Sequence, residues 1–268
     1  LYEWAHTPWE WHAALFAYAK DVGITLFSTP FDDTAVDLLE ELNTPAYKIA
    51  SFECTDLNLI KRVARTNKPI IISTGMANDA EIGEAVETAM KFGNGKLTLL
   101  HCVSGYPSPP GEYNLRTITD MQNRFGVNVG LSDHTLSNVT AISAVALGAV
   151  MVEKHVTLNR DGDGPDDSFS LEEDGLMELC TATRTAWQAL GKVNYERTEA
   201  EKGNVKFRRS LYYVRSLQEG DVITENDIRS VRPGFGLPPK YYETLIGSKV
   251  TMSVEKNSPV NLESVKLK

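Results

Sequence analysis

The sequence has 268 residues, 42% of them hydrophobic and 24% charged, with a formal net charge of −9. That composition suits a globular protein with a full core and room for a small second domain, and the acidic balance excludes a non-specific nucleic-acid binder. Cys54, Cys102 and Cys180 are far apart with no Cys-x-x-Cys, and the longest apolar run, Ala141–Val152, is short and interrupted by Gly148, so a reduced, cytoplasmic chain with no membrane span is expected.

Taken in order, Thr7-Pro8 precedes a helical pattern over Trp9–Lys20. A strand is expected over Ile24–Ser28, then a helix over Asp32–Leu42 that opens with acids at the positive end of its dipole. Further strands follow over Ala46–Ser51, Pro69–Thr74, Leu97–Cys102, Val127–Thr135 and Ala149–Thr157. Helices over Asp56–Arg65, Asp79–Phe92, Leu115–Phe125 and Asn138–Leu147 separate them, and a long helix over Leu171–Leu190 closes the series. Asn194–Arg209 reads as a linker. Ser210–Lys268, with strand-like LYYVRS and KVTMSV between Gly and Pro turns, reads as a small domain near the lower size limit for independent stability. That tail carries 8 Lys+Arg and 7 Asp+Glu, against 19 and 29 in the rest, so two units with different surfaces are expected.

Six β-then-α units predict a parallel sheet, either open and doubly wound or closed as a (β/α)8 barrel. No G-x-G-x-x-G follows any strand, so a dinucleotide fold has no support. Every strand instead ends in polar groups: Ser28 and Thr29, Lys48 and Ser51, Ser73 and Thr74, His101 and Ser104, Ser132 and His134, Glu153 and His155. Contributions from all strands favour a barrel, whose catalytic face lies at the carboxyl ends of its strands. A full barrel takes about 250 residues. The barrel-like part ends near residue 191 and the chain has no initiating Met, so two N-terminal units are expected to be absent from this chain.

A single strand-end histidine reads as a hydrogen-bonded core or loop residue. Two at matching positions, His134 and His155, favour a shared divalent ion. Asp133 either orients a ligand or caps the next helix, and reads better as the cap. Glu53, two residues past Ser51, is either turned to the same face as that serine or a solvated loop carboxylate. Tyr2, Trp4, Trp9 and Trp11 read as packing or subunit contacts.

The motifs FSTPF, YKIAS-x-E, ISTGM, GLSDHT, EKH, GPD and SVRPGFGLPPK resemble the sialic acid synthase family over essentially the whole chain. TPWEWH, IASFE, Ser104, FSLE, RRSLY and GFGLPPK are most similar to its pseudaminic acid synthase branch. The resemblance implies a (β/α)8 TIM barrel over 1–193, lacking its first two units here, a linker over 194–209 and an antifreeze-like SAF domain over 210–268. It implies a phosphoenolpyruvate-dependent synthase of nine-carbon keto sugars, homodimeric, with each SAF domain over the partner's barrel. His134 and His155 match the metal ligands, with manganese the usual ion and magnesium or cobalt as alternatives. Thr29, Lys48, Ser51, Ser73 and Ser132 match the phosphoenolpyruvate cradle, and Glu53 an acid/base residue. Tyr106 and Asp166 match site-lining positions, and Arg232 the arginine that reaches the other subunit's sugar. Ser104 replaces the Asn of N-acetylneuraminate synthases, which favours the pseudaminate branch.

A lysine charge and strand-end hydroxyls suit a substrate carrying phosphate and carboxylate. The resemblance to the pseudaminate branch implies a reaction that joins phosphoenolpyruvate to the aldehyde of 2,4-diacetamido-2,4,6-trideoxy-L-altrose and releases phosphate. N-acetylneuraminate and legionaminate synthesis are the alternatives within the family. Outside it stand a Schiff-base aldolase using Lys48 and a carbohydrate-binding scaffold.

Overall fold

Period-two alternation decides which face of each strand meets the helices. The structure, a computed structural model, describes residues 6–267; Tyr2 and Trp4 lie outside them. The chain divides into two compact units, Leu1–Gly191 and Lys192–Lys268.

The first unit runs α1 (Trp9–Val22), α2 (Asp33–Glu41), β1 (Tyr47–Ile49), α3 (Leu57–Ala64), β2 (Ile70–Ser73), α4 (Asp79–Phe92), β3 (Leu97–Cys102), α5 (Arg116–Phe125), β4 (Asn128–Asp133), α6 (Val139–Ala146), β5 (Val152–Lys154) and α7 (Glu173–Leu190). Side chains set several helix starts. Asp32 accepts from Ala35 N, Asp56 from Asn58 N and Leu59 N, and Asn78 forms a reciprocal capping box with Glu81.

All five strands are parallel and lie in the order β1-β2-β3-β4-β5. Each crossover advances by one strand, the winding of a barrel arc; a doubly wound sheet reverses its order. Tyr47, Ile49, Ile70, Ile72, Leu97, Leu99, Val129 and Leu131 belong to the core shared with the helices. Each such side chain contributes roughly 1.5–3 kcal/mol on burial. The alternate positions, among them Lys48, Ser73, Cys102, Ser132 and Glu153, face the other way.

That second face is concave. Lys48 on β1 and Glu153 on β5 form an ion pair of 3.2 Å. Four strand spacings in a flat sheet amount to roughly 19 Å. Only a sheet rolled into an arc lets these two side chains meet.

The sequence reading is corrected at several points. Ile24–Ser28 forms no ladder, so five strands stand where six were expected. Among the described residues no strand pairs with this segment, and residue type alone does not make a strand. The final strand is Val152–Lys154, shorter than Ala149–Thr157; Val156 keeps an isolated bridge to Leu171. Trp9 and Trp11 are 50% and 57% exposed and lie outside the core cluster.

The second unit has its own core of Leu211, Tyr213, Leu217, Ile223, Ile228, Leu245, Val250, Val260 and Val265. It contains the short helix α8 (Glu199–Lys202), the antiparallel pair β6 (Ser210–Tyr213) and β7 (Ile228–Val231), the turn of helix α9 (Tyr242–Leu245), and the pair β8 (Lys249–Val250) and β9 (Val265–Lys266). Asp227, wholly buried, accepts from Thr224 N and Thr224 Oγ1, both at 2.7 Å, and pairs with Arg215.

Gly130, central in β4, tests the arc's packing. A Cβ there would lie 2.5 Å from the Met151 carbonyl oxygen and 2.7 Å from Leu100 Cδ2. Gly130→Ala is expected to destabilise the first unit by about 1–3 kcal/mol, read as a lower urea midpoint.

Candidate active site

Glu153 is the hub of the concave face. One carboxylate oxygen faces Lys48 Nζ and the other accepts from Ser132 Oγ at 2.7 Å. Lys48 is 7% exposed, so its charge sits where an anion is little screened by water.

Beside this pair the turn after β2 brings three polar groups to one glycine. Gly75 N donates to Ser51 Oγ at 3.1 Å, and Ser51 Oγ lies 3.4 Å from Cys102 Sγ. A Cβ on Gly75 would lie 2.2 Å from Ser104 Oγ and 2.8 Å from Ser51 Oγ. The site therefore needs glycine here for close approach. Ser73 Oγ and Glu53 Oε2 are buried with no protein partner. An unpaired buried oxygen is costly, so both are positions a ligand would satisfy. Burial is also the main cause that lifts the Glu53 carboxyl above its ordinary value. Thr29 is half-buried in the unpaired segment before α2.

The two histidines converge, with ring centroids 5.2 Å apart. His134 Nδ1 lies 2.9 Å from the Val103 carbonyl oxygen, and His155 Nδ1 lies 3.3 Å from Asp166 Oδ2. A carbonyl only accepts, so His134 Nδ1 carries a proton. Nε2 is the remaining donor atom of each ring, and the His134 ring also meets the Cys102 thiol. Two imidazoles oriented in this way through their other nitrogens have the chemistry to serve as donors to a divalent ion. Among the described residues no group of three or more His, Cys, Asp or Glu side chains is placed around one ion. The protein's share would be these two rings, leaving positions for substrate and water. Burial opposes a charge on His134, but the Cys102 thiol and the Val103 carbonyl outweigh it and move its pKa up. For His155 burial, with the charge on His134, outweighs Asp166 and moves its pKa down.

Two further rings enclose the pair. Tyr106 lies 4.3 Å from His134 and 5.9 Å from His155, and Phe169 lies 5.1 Å from His155, centroid to centroid. Behind them Tyr113, from the loop before α5, accepts from His134 N at 2.7 Å and donates to the Ser132 carbonyl at 3.3 Å.

Two family models match the chain: the NeuB family over residues 1–195 and the SAF domain over 208–266. The chain belongs to the NeuB family. It is 41% identical over 269 residues to a pseudaminic acid synthase of Helicobacter pylori, covering 99% of this chain and 78% of that protein. It is 39% identical over 249 residues to an N,N'-diacetyllegionaminic acid synthase of Campylobacter jejuni, covering 92% and 75%. A solved spore coat polysaccharide biosynthesis protein of Bacillus subtilis superposes with a TM-score of 0.66 at 32% identity, covering 98% of this chain and 79% of that one.

In this NeuB chain the structure brings together Lys48, Ser51, Ser73, Ser104, Tyr106, Ser132, His134, His155 and Asp166. Glu53 follows Ser51 in a short 3-10 turn. Arg232 belongs to the second unit, in a loop where Ser210 Oγ donates to the Pro233 carbonyl and accepts from Gly236 N. Two strand-end readings change. His101 faces the helices and bonds the Tyr113 carbonyl. Asp133 caps no helix: it accepts from Thr135 N at 2.9 Å and pairs with Lys154. Sequence reading assigns no role to Cys102, Tyr113 and Phe169, and takes Glu153 only as a strand-end polar group. The alternation Glu153-Lys154-His155 does turn Glu153 and His155 to one face and is the available signal. Tyr113 sits in a Pro- and Gly-rich loop that carries no periodicity.

Gly75→Ala should displace the Ser51 and Ser104 hydroxyls while the sheet stays folded. A shift of about 1 Å at such a site costs on the order of a hundred-fold in turnover, with circular dichroism unchanged. For Glu53 the raised pKa means that the folded state binds the extra proton. Its contribution to stability therefore falls as pH rises from its ordinary value toward its folded value. Glu53→Gln should lose that dependence, so urea midpoints of variant minus wild type should increase from pH 4 to pH 7.

Proposed function

We propose that this chain is a pseudaminic acid synthase that condenses phosphoenolpyruvate with 2,4-diacetamido-2,4,6-trideoxy-L-altrose, with water consumed and phosphate released. The observation that carries the reading is one concave face holding a buried lysine, an unpartnered serine hydroxyl and two converging imidazoles. The 41% identity to a pseudaminic acid synthase supports the branch.

In this reading Lys48 supplies a point charge, and Ser51, Ser73, Ser132 and Thr29 supply hydroxyls, to the phosphate and carboxylate. His134 and His155 would hold a divalent ion, manganese in the first instance. Such an ion supplies Lewis acidity at the sugar aldehyde. C3 of phosphoenolpyruvate bonds to the aldehyde carbon, water adds at C2, and the C2–O bond to phosphate breaks. Glu53, with burial favouring its protonated form, holds or moves a proton beside these carbons. Tyr106, Ser104 and Asp166 line the sugar side, where Ser104 suits the acetamido-trideoxy sugar. Lys48 engaged with Glu153 serves as a charge for an anion, whereas an imine-forming lysine must present a neutral amine.

The wider assembly follows the same reading. The arc belongs to a (β/α)8 barrel, with the barrel part over 1–193, a linker over 194–209 and the SAF domain over 210–268. In a cytoplasmic homodimer each Arg232 serves the partner's sugar site.

The test is phosphate release from phosphoenolpyruvate with the trideoxy-altrose, N-acetylmannosamine and the legionaminate precursor, each with and without chelator. Release with the trideoxy-altrose alone, abolished by chelator and restored by manganese, is expected. Release with N-acetylmannosamine alone would reject the pseudaminate assignment, and chelator-resistant release would reject the role of the ion.

A further inference from the structure

The residue next to each site residue on β4 and β5 faces away from the concave side. There Asp133 and Lys154, register partners in the ladder, form a buried ion pair of 2.8 Å with side chains 0% and 3% exposed. An ammonium has three donors, and this one has three acceptors. They are Asp133 Oδ2, the Thr135 carbonyl and the Ser137 carbonyl, the last at 3.4 Å. All three flank His134, one from the residue before it and two from residues after it. Asp133 Oδ1 closes the turn by accepting from Thr135 N.

A buried ion pair is often no more stabilising than an apolar pair of the same volume, so its position is the informative property. Lys154 is bonded covalently to His155 and grips the chain on both sides of His134. It thus links the two imidazoles through one short path behind the sheet. We propose that Lys154 is a positioning residue that sets the separation of the His134 and His155 rings, and through it the affinity of the divalent-ion site. The metal part of this inference rests on the proposed role of the two histidines.

The experiment compares the wild-type chain with Lys154→Met and with the double variant Asp133→Asn/Lys154→Met. The single variant leaves the Asp133 charge buried without its partner and is expected to unfold more readily. The double variant removes both charges, and the amide oxygen it places at position 133 can still accept from Thr135 N, so its thermal midpoint is expected to return close to that of wild type. Two readouts follow on the double variant: the dissociation constant for manganese, and amide hydrogen exchange at His134 and Thr135 in metal-free protein. The proposal expects manganese affinity to fall about ten- to a hundred-fold, as for other residues that orient metal ligands, and exchange at both amides to accelerate. Unchanged exchange overturns the proposal whatever the metal result. Faster exchange with wild-type manganese affinity also overturns it, because the grip would then not set the rings. Should wild-type protein bind no manganese while exchange accelerates in the variant, the grip stands and the divalent-ion reading falls.

Discussion

The contact between Lys48 and Glu153 joins the first paired strand to the fifth, and the remaining geometry of the site depends on the curvature that permits it. A flat sheet would leave each strand-end polar group facing solvent alone. Rolled into an arc, the same sheet points lysine, glutamate, serine and histidine side chains at one volume. A carboxylate on the fifth strand then serves the first and the fourth at once. Removing Glu153 would leave Lys48, with its side chain only 9% exposed, charged and poorly hydrated, so the pair constrains substitution at position 153.

The arc also separates labour by face. On the helix side, Ile, Leu and Val at alternate positions form the core. On the concave side, apolar residues low in the strands give way to serine, cysteine and ionisable groups at the carboxyl ends. The fourth and fifth strands use both faces for the site: His134, Glu153 and His155 in front, with Asp133 and Lys154 behind. Precision in front therefore depends on charged groups that never meet solvent.

Much of this is legible in the chain. The helix over Asp79–Phe92 and the strand over Leu97–Cys102 coincide with the structure, because a capping box and a short, mainly apolar run are local signals. The convergence of His134 and His155 is legible from their matching strand ends. Ile24–Ser28 misleads because a strand exists only where another backbone pairs with it, which residue type alone cannot report. His101 misleads for a related reason. It lies one residue before Cys102, and a one-residue difference in phase turns a side chain to the opposite face. The role of Glu153 is hidden because its partner lies 105 positions away in sequence and four strands away in the sheet. Asp133 reads as a cap on the strength of residue type, but its charge belongs to a lysine on the next strand.

The orientation of His134 depends on the loop after the third strand through a main-chain atom, the Val103 carbonyl oxygen. Any residue at position 103 supplies that atom. Immediately downstream, Ser104 and Tyr106 present side chains to the same space. The loop thus offers a sequence-independent acceptor to the His134 ring and variable groups to whatever lies beside it. A lineage can exchange the side chains at positions 104 and 106, one substitution at a time, without disturbing the orientation of the His134 imidazole. Divergence in acceptor choice on an unchanged reaction centre is the evolutionary course that such a loop permits.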